Sequence, residues 1–284
     1  MKFKSLKDAY TLSNGVEIPC IGFGTWQADE EAARQSVLTA LETGYRHIDT
    51  AQAYENEAGV GRAISQSGID RREIFLTTKL ANPYRGYDET MRRFEESLER
   101  LQTDYLDLFL IHWPRPADFR DDWKEQNRET WRAFEDLYRA GRVRSIGISN
   151  FRPHHIDALL LHAAVKPMVN QIRLAPGDTQ DDAAVYSRER DMLLEAYSPL
   201  GSGAIFSVPD VQKLAEKYNK TIAQIAIRWS LERGYLPLPK SVTPARIREN
   251  SQVFDFALEP GDVELLAGLT GCVGFSADPD AISW

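Results

Sequence analysis

Cysteine is scarce: Cys20 and Cys272 are the only two in 284 residues, near opposite ends of the chain. A small secreted domain stapled by disulfides would use more, so both are expected to be ordinary buried or half-buried thiols. Long hydrophobic runs are missing too. No stretch of roughly 18 apolar residues occurs, so no membrane span is expected. The N-terminal segment "MKFKSLKDAYTLSNG" is basic but has no apolar core, unlike a signal peptide. Positive charge is in deficit, with 34 Lys and Arg against 42 Asp and Glu and a formal net charge of −8. Nonspecific nucleic-acid binding relies on neutralising phosphates and is therefore not expected. A local basic pocket for a small anion remains compatible with an acidic chain. No Pro/Gly/Ser-rich linker divides the sequence, so residues 1–284 read as one domain. These absences leave a cytoplasmic globular protein whose partners are small molecules.

What is present is alternation. Strand-like runs recur, each followed by a segment long enough for a helix. "CIGFGT" precedes "DEEAARQSVLTALETG", where Asp29 suits an N-cap and Gly44 a C-terminal stop. "YRHIDTA", "REIFLTTKL", "LDLFLIHW", "RVRSIGISN", "PMVNQI", "MLLEAYSP" and "YLPLPKS" follow in order. Their helical partners include "YDETMRRFEESLERLQ", with Met91, Phe94, Leu98 and Leu101 at helical spacing, and "PHHIDALLLHAA", with Pro153 suited to a first turn. Eight strands alternating with eight helical connections imply parallel pairing through right-handed crossovers. At this length the pattern predicts an α/β fold of the closed (β/α)8 TIM-barrel type. "YTLSNGVEIP" reads as a short N-terminal β-hairpin turning at Asn14-Gly15 and plugging the lower mouth.

The functional signal lies at the strand ends. The apolar runs finish in Gly24-Thr25, Asp49, Lys79, His112, Ser149-Asn150, Gln171, Tyr197-Ser198 and Lys240-Ser241. In a barrel these positions converge on the C-terminal rim, where such enzymes place their chemistry. Each has a plain reading alone: Asp49 as a helix cap, Lys79 as a solvated strand end, His112 as a core histidine, Tyr54 as packing. Together they are hard to explain as structure, because a buried carboxylate and ammonium are costly unless paired. The set suits carbonyl reduction. Tyr54 would protonate the developing alkoxide, and a nearby ammonium on Lys79 would lower a phenol pKa that is otherwise ~10. Asp49 would hold Lys79, and a neutral His112 would orient the substrate oxygen. Trp26 and Trp113 are expected to line the substrate pocket along with Tyr54 and His112. His154, His155 and His162 show no acidic or thiol partner at metal-ligand spacing and read as ordinary helix surface, so no metal is expected.

Hydride chemistry calls for a nicotinamide cofactor, yet the usual glycine fingerprint is missing. "GFGTWQ" has Gln27 and "GSGAIF" has Phe206 where a third glycine belongs. The walls must bind the cofactor otherwise. Tyr197 offers a face for ring stacking, and Ser149, Asn150 and Gln171 offer hydrogen bonds to a carboxamide. Gly24 and Thr25 at the first strand end are assigned to the same wall. "PKSVTPARIREN" places Lys240, Ser241, Thr243 and Arg246 around a helix start, which suits a 2′-phosphate and favours NADP(H) over NAD(H).

With these residues assembled, the chain resembles the aldo-keto reductase family over nearly its full length. The matching motifs are "GFGTW", "GYRHIDTAQAYENE", "LTTKL", "LDLFLIHWP", "GRVRSIGISNF", "VNQI", "EAYSPLGSG" and "PKSVTPARIREN". The resemblance implies a catalytic tetrad of Asp49, Tyr54, Lys79 and His112. It also implies cofactor contacts from Ser149, Asn150, Gln171, Tyr197, Ser198, Leu200, Ser202, Lys240, Ser241, Val242, Thr243, Arg246, Glu249 and Asn250. NADPH-dependent reduction of aldehydes or ketones is the activity it implies, and monomer the common state. The pattern is similar to bacterial 2,5-diketo-gluconate and methylglyoxal reductases. Two departures stand out. Arg173 and Ala175 in "NQIRLAPG" replace the glutamate and histidine of many relatives, and a short tail, "GFSADPDAISW", suggests an open pocket. The rival readings are an NADP(H)-binding redox-sensing or regulatory subunit with little turnover, and a structural protein recruited from an enzyme. The intact tetrad speaks against the first, and the second predicts damaged cofactor residues.

Overall fold

The computed structural model describes residues 3–274 and 276–284. Met1, Lys2 and Phe275, which fall in the N-terminal segment and the tail read above, lie outside the described residues. A hairpin of β1 (Ala9–Thr11) and β2 (Glu17–Pro19) opens the chain, with Tyr10 opposite Ile18. Gly15 takes the positive φ of 85° that the turn requires. The Tyr10 hydroxyl donates to the carbonyl of Tyr235, and Asn14 Nδ2 donates to the carbonyl of Arg144. Both acceptors lie at the beginnings of barrel strands, so the hairpin closes the lower mouth as expected.

Eight parallel strands follow: β3 (Phe23–Gly24), β4 (His47–Asp49), β5 (Phe75–Leu80), β6 (Leu106–Ile111), β7 (Val143–Ser149), β8 (Val169–Arg173), β9 (Leu193–Tyr197) and β10 (Leu236–Leu238). Each pairs with the next in sequence order. Closure comes from backbone bonds of Gly22 N–H to Pro237 O and Gly24 N–H to Pro239 O, at 3.0 and 3.1 Å. Gly22 has to be glycine for this seam. A Cβ there would lie 2.4 Å from Leu238 Cδ2 and 2.6 Å from His47 Nδ1.

Helices form the outer ring. In α1 (Glu30–Thr43), Asp29 caps the start by accepting from Ala32 N–H at 2.8 Å, and Gly44 ends it at φ 111°. Next come α2 (Glu57–Gln66), α3 (Tyr87–Leu101), α4 (Trp123–Arg139), α5 (Pro153–Leu160) and α6 (Asp181–Arg188). The connection from β9 to β10 departs from one helix per crossover. It carries α7 (Pro209–Tyr218) and α8 (Ile222–Glu232), and the second was not expected. Every residue of α8 from Ala223 to Leu231 is buried, polar Gln224, Arg228 and Ser230 included. After α9 (Pro244–Ser251), a further helix, α10 (Pro260–Ala267), precedes the tail. No helix among the described residues is long and apolar enough to cross a membrane.

Candidate active site

Tyr54 reaches the rim because the chain turns sharply after β4. A short 3-10 turn over Gln52–Tyr54 is fastened on both sides. Gln52 Oε1 accepts from Ala81 N–H just past β5, at 2.9 Å. Asn56 is buried, accepts from Thr50 Oγ1 and donates to the carbonyls of Thr25 and Ala28. These bonds set the phenol over the ends of β4 and β5.

Lys79 is fully buried, and its ammonium has a partner for each hydrogen: Asp49 Oδ1 at 2.6 Å, Thr50 O at 2.9 Å and Tyr54 Oη at 3.3 Å. Burial works against its charge, but Asp49 and then Tyr54 outweigh that, and the lysine pKa rises. The phenol behaves differently from the sequence expectation. Burial pushes the Tyr54 pKa up, and the opposing pull of Lys79 does not overcome it, so the net shift is upward. His112 packs edge-on against Tyr54 with ring centroids 5.7 Å apart. Burial, with Lys79 and Arg85 nearby, holds its pKa well below the usual histidine range, so the ring is neutral. No described side chain or backbone group bonds to that ring, which lines the pocket, so it is free to meet a ligand oxygen.

The pocket has a volume of about 1380 Å³ and runs from Trp26 and Trp113 across Asp49, Tyr54 and His112 to α9. Along its β7–β9 wall the polar groups are tied to one another. Ser149 Oγ donates to Gln171 O at 2.7 Å, and Asn150 Nδ2 donates to His112 O at 3.0 Å. The Tyr197 hydroxyl donates to Asn150 Oδ1 at 2.8 Å, which anchors the aromatic ring at the pocket edge. Ser198, Leu200 and Ser202 line the next stretch, where Gly201 has φ 55° and backs directly onto Val273. At the far end Lys240, Ser241, Arg246, Glu249 and Asn250 complete the wall. Arg246 has no carboxylate partner among the described residues, whereas Arg34, Arg62 and Arg92 on the outer helices are each paired. Cations without a carboxylate partner among the described residues at one end, an anchored ring at the other and the pocket-facing Gln171 amide fit a phosphorylated dinucleotide.

Some expected wall residues sit elsewhere. Thr25 is buried beneath the rim, its hydroxyl donating to Asp49 O at 3.0 Å, so it braces the β3–β4 seam and does not line the pocket. Val242 is exposed, and Val242 and Thr243 stand beside the pocket lining, outside it. Arg173 is buried at the end of β8, donating to Asp178 and to the carbonyl of Val273, and thus ties the rim to the tail segment.

The tail corrects two expectations. Short as it is, it crosses the mouth and lays Ala277, Ser283 and Trp284 on the pocket wall, with Trp284 edge-on to Trp113 at 5.9 Å. The anchor is the histidine pair read as plain helix surface without acidic partners. Asp280 bonds both His154 and His155 at 3.1 Å, and Arg115 reaches it at 3.4 Å. His155 is fully buried, and burial lowers its pKa to about 4. Its Nδ1 accepts from Arg152 N–H at 3.1 Å, which puts the ring proton on Nε2, facing Asp280. The three side chains lie close enough to share a cation. That tautomer and the adjacent guanidinium favour a hydrogen-bonded clamp instead.

A closed parallel barrel with a hydrogen-bonded Asp–Lys–Tyr chain at its C-terminal rim defines a barrel enzyme built for proton delivery beside a dinucleotide-sized groove. The chain belongs to the aldo/keto reductase family, whose profile matches residues 20–270. Glyoxal reductase of Bacillus subtilis (strain 168) is 44% identical over 279 residues, covering 98% of both chains. Methylglyoxal reductase DkgA of Escherichia coli (strain K12) is 40% identical over 274 residues, 95% of this chain and 96% of that one. A crystal structure of a Bombyx mori aldo-keto reductase in complex with NADP superposes with a TM-score of 0.84 at 34% identity, covering 92% of each chain.

Proposed function

We propose that this protein reduces small aldehydes and ketones with NADPH, with Tyr54 as proton donor, Lys79 and Asp49 supporting it, and His112 positioning the carbonyl. The carrying observation is the bonded chain Asp49–Lys79–Tyr54 beside a neutral imidazole that lines the same pocket. The cofactor supplies the hydride when bound. Tyr54 donates its hydroxyl proton to the carbonyl oxygen as negative charge grows there. Loss of that proton leaves a phenolate 3.3 Å from an ammonium that is already in place, so the charge is met without reorganisation. The upward pKa of the phenol keeps the proton on Tyr54 until the substrate oxygen asks for it. Asp49 holds the ammonium charged and aimed, and His112 donates one hydrogen bond to the same oxygen.

Arg246, with Lys240 and Ser241, takes the 2′-phosphate; Gln171, Ser149 and Asn150 take the carboxamide; and Tyr197 stacks on the ring. The names of the relatives suggest short dicarbonyls such as glyoxal and methylglyoxal as substrates. A pocket wall of Trp26, Trp113 and Trp284 beside the polar tetrad suits a compact carbonyl. Free thiols at Cys20 and Cys272 fit a reducing compartment, and we read the protein as a single-domain cytoplasmic monomer. The test is oxidation of NADPH and of NADH by glyoxal, methylglyoxal and a panel of simple aldehydes and ketones, repeated with Arg246→Ala. NADPH should be preferred by wild type, and losing one charge-assisted contact should cut that preference roughly tenfold or more. Tight NADPH binding with no turnover on the panel would favour a redox-sensing subunit, and equal use of both cofactors would remove the 2′-phosphate assignment.

A further inference from the structure

Beneath the tetrad lies a second layer of polar side chains that the proposed reaction does not use. Each precedes a rim residue by two positions on its strand and so faces the same way: His47 below Asp49, Thr77 below Lys79, Glu195 below Tyr197. All three are fully buried. Glu195 Oε2 accepts from Gln171 Nε2 at 2.7 Å, and the same nitrogen donates to Asp49 Oδ2 at 2.9 Å. Gln171 on β8 thus spans the barrel to β4, on the opposite side of the strand order. Both amide hydrogens are used on carboxyl groups, one from β4 and one from β9. A flipped amide would set its oxygen against the Asp49 carboxylate that pairs with Lys79, leaving two acceptors face to face. The only comfortable arrangement turns Nε2 inward and leaves Oε1, which no described group bonds, for the pocket that Gln171 lines.

We propose that Glu195 is a positioning residue for the nicotinamide end of the cofactor site: together with Asp49 it locks the Gln171 amide so that Oε1 faces the pocket as a fixed acceptor for a carboxamide N–H. This rests on the NADPH reading above. The surroundings of Glu195 support a neutral, hydrogen-bonding role over an ionic one. Asp49 and Lys79 already pair with each other at 2.6 Å. His47 stands 3.7 Å from Glu195 Oε1, bonded to Thr77 Oγ1 at 3.0 Å, and burial lowers its pKa to about 3. Burial, reinforced by Asp49, pushes the Glu195 carboxyl up to about 8, so it holds its proton at neutral pH.

The experiment is fluorescence titration of wild type, Glu195→Met and Glu195→Gln with NADPH and with 2′,5′-ADP, which keeps the phosphate end but lacks nicotinamide. Glu195→Met leaves a Gln171 hydrogen without an acceptor, and NADPH binding should weaken about five- to fiftyfold while 2′,5′-ADP binds as before. Glu195→Gln still presents a carbonyl to Gln171 and should restore NADPH affinity. Glu195→Thr, too short to reach Gln171, gives the same reading should the methionine variant not fold. Unchanged NADPH affinity in the acceptor-free variants, equal loss of both ligands, or a Glu195→Gln variant as weak as Glu195→Met would each overturn the proposal. Wild type that binds 2′,5′-ADP and NADPH not at all would instead sink the cofactor reading beneath it.

Discussion

The rim layer and the layer two residues below it face the same burial problem and solve it differently. At the rim, a carboxylate and an ammonium are both kept charged, because Lys79 finds an acceptor for every hydrogen and Asp49 is bonded on both oxygens. In the lower layer, Glu195 Oε1 and His47 Nδ1 have no hydrogen-bond partner among the described residues, and both groups are held neutral. The difference is one of available partners. A dry interior tolerates one fully bonded ion pair, and further titratable groups beside it give up their charge. The rim thus carries the charge that chemistry can use, while the lower layer steers by hydrogen bonds alone.

Removing a partner from the rim pair should have the largest effect. Lys79→Met strands Asp49 as a buried unpaired carboxylate, and loss of one member of such a pair costs about 3–5 kcal/mol of stability. Chemical denaturation should show that loss, and turnover should vanish with it. A Lys79→Met protein as stable as wild type would mean that Asp49 is not held as an ion.

The lower layer should respond with the opposite sign. Glu195 has its pKa raised from 4.5 to about 8 in the folded protein. Between those values the unfolded chain has released a proton that the folded chain keeps, so stability from this group falls as pH rises and levels off above about 8. Glu195→Gln cannot ionise and escapes that penalty. Its stability relative to wild type should therefore grow between about pH 5 and 8, by an amount of the order of a few kcal/mol, and then stay constant. Denaturant midpoints of both proteins across that range check this, and a difference independent of pH would show that Glu195 is already ionised.

The rim layer was legible in the sequence because Asp49, Lys79 and His112 interrupt or end apolar runs, where a buried strand gives no reason for them. The lower layer went unread although "HID", "TTK" and "EAY" contain it. His47, Thr77 and Glu195 stand inside the strands, and only the two-residue step from a rim position reveals that they share the barrel interior. That step was the available signal. Helix α8 escaped for a different reason: its burial takes in polar Gln224, Arg228 and Ser230, which no apolar stripe marks as interior. The strand ends also could not distinguish Thr25, which braces the seam from below, from neighbours that face the pocket. Nothing local in "ADPDAISW" tells that Trp284 returns to the mouth, since its path depends on Asp280 meeting His155 some 125 positions earlier in the chain.

The central claim is that the proton reaches the substrate from Tyr54 and that its partners only prepare it. Tyr54→Phe removes the hydroxyl while keeping the ring against His112. NADPH affinity should match wild type, and turnover of methylglyoxal should fall by about 10²–10⁴-fold. Full turnover by Tyr54→Phe would contradict the account, since the proton would then have to come from another group at the rim.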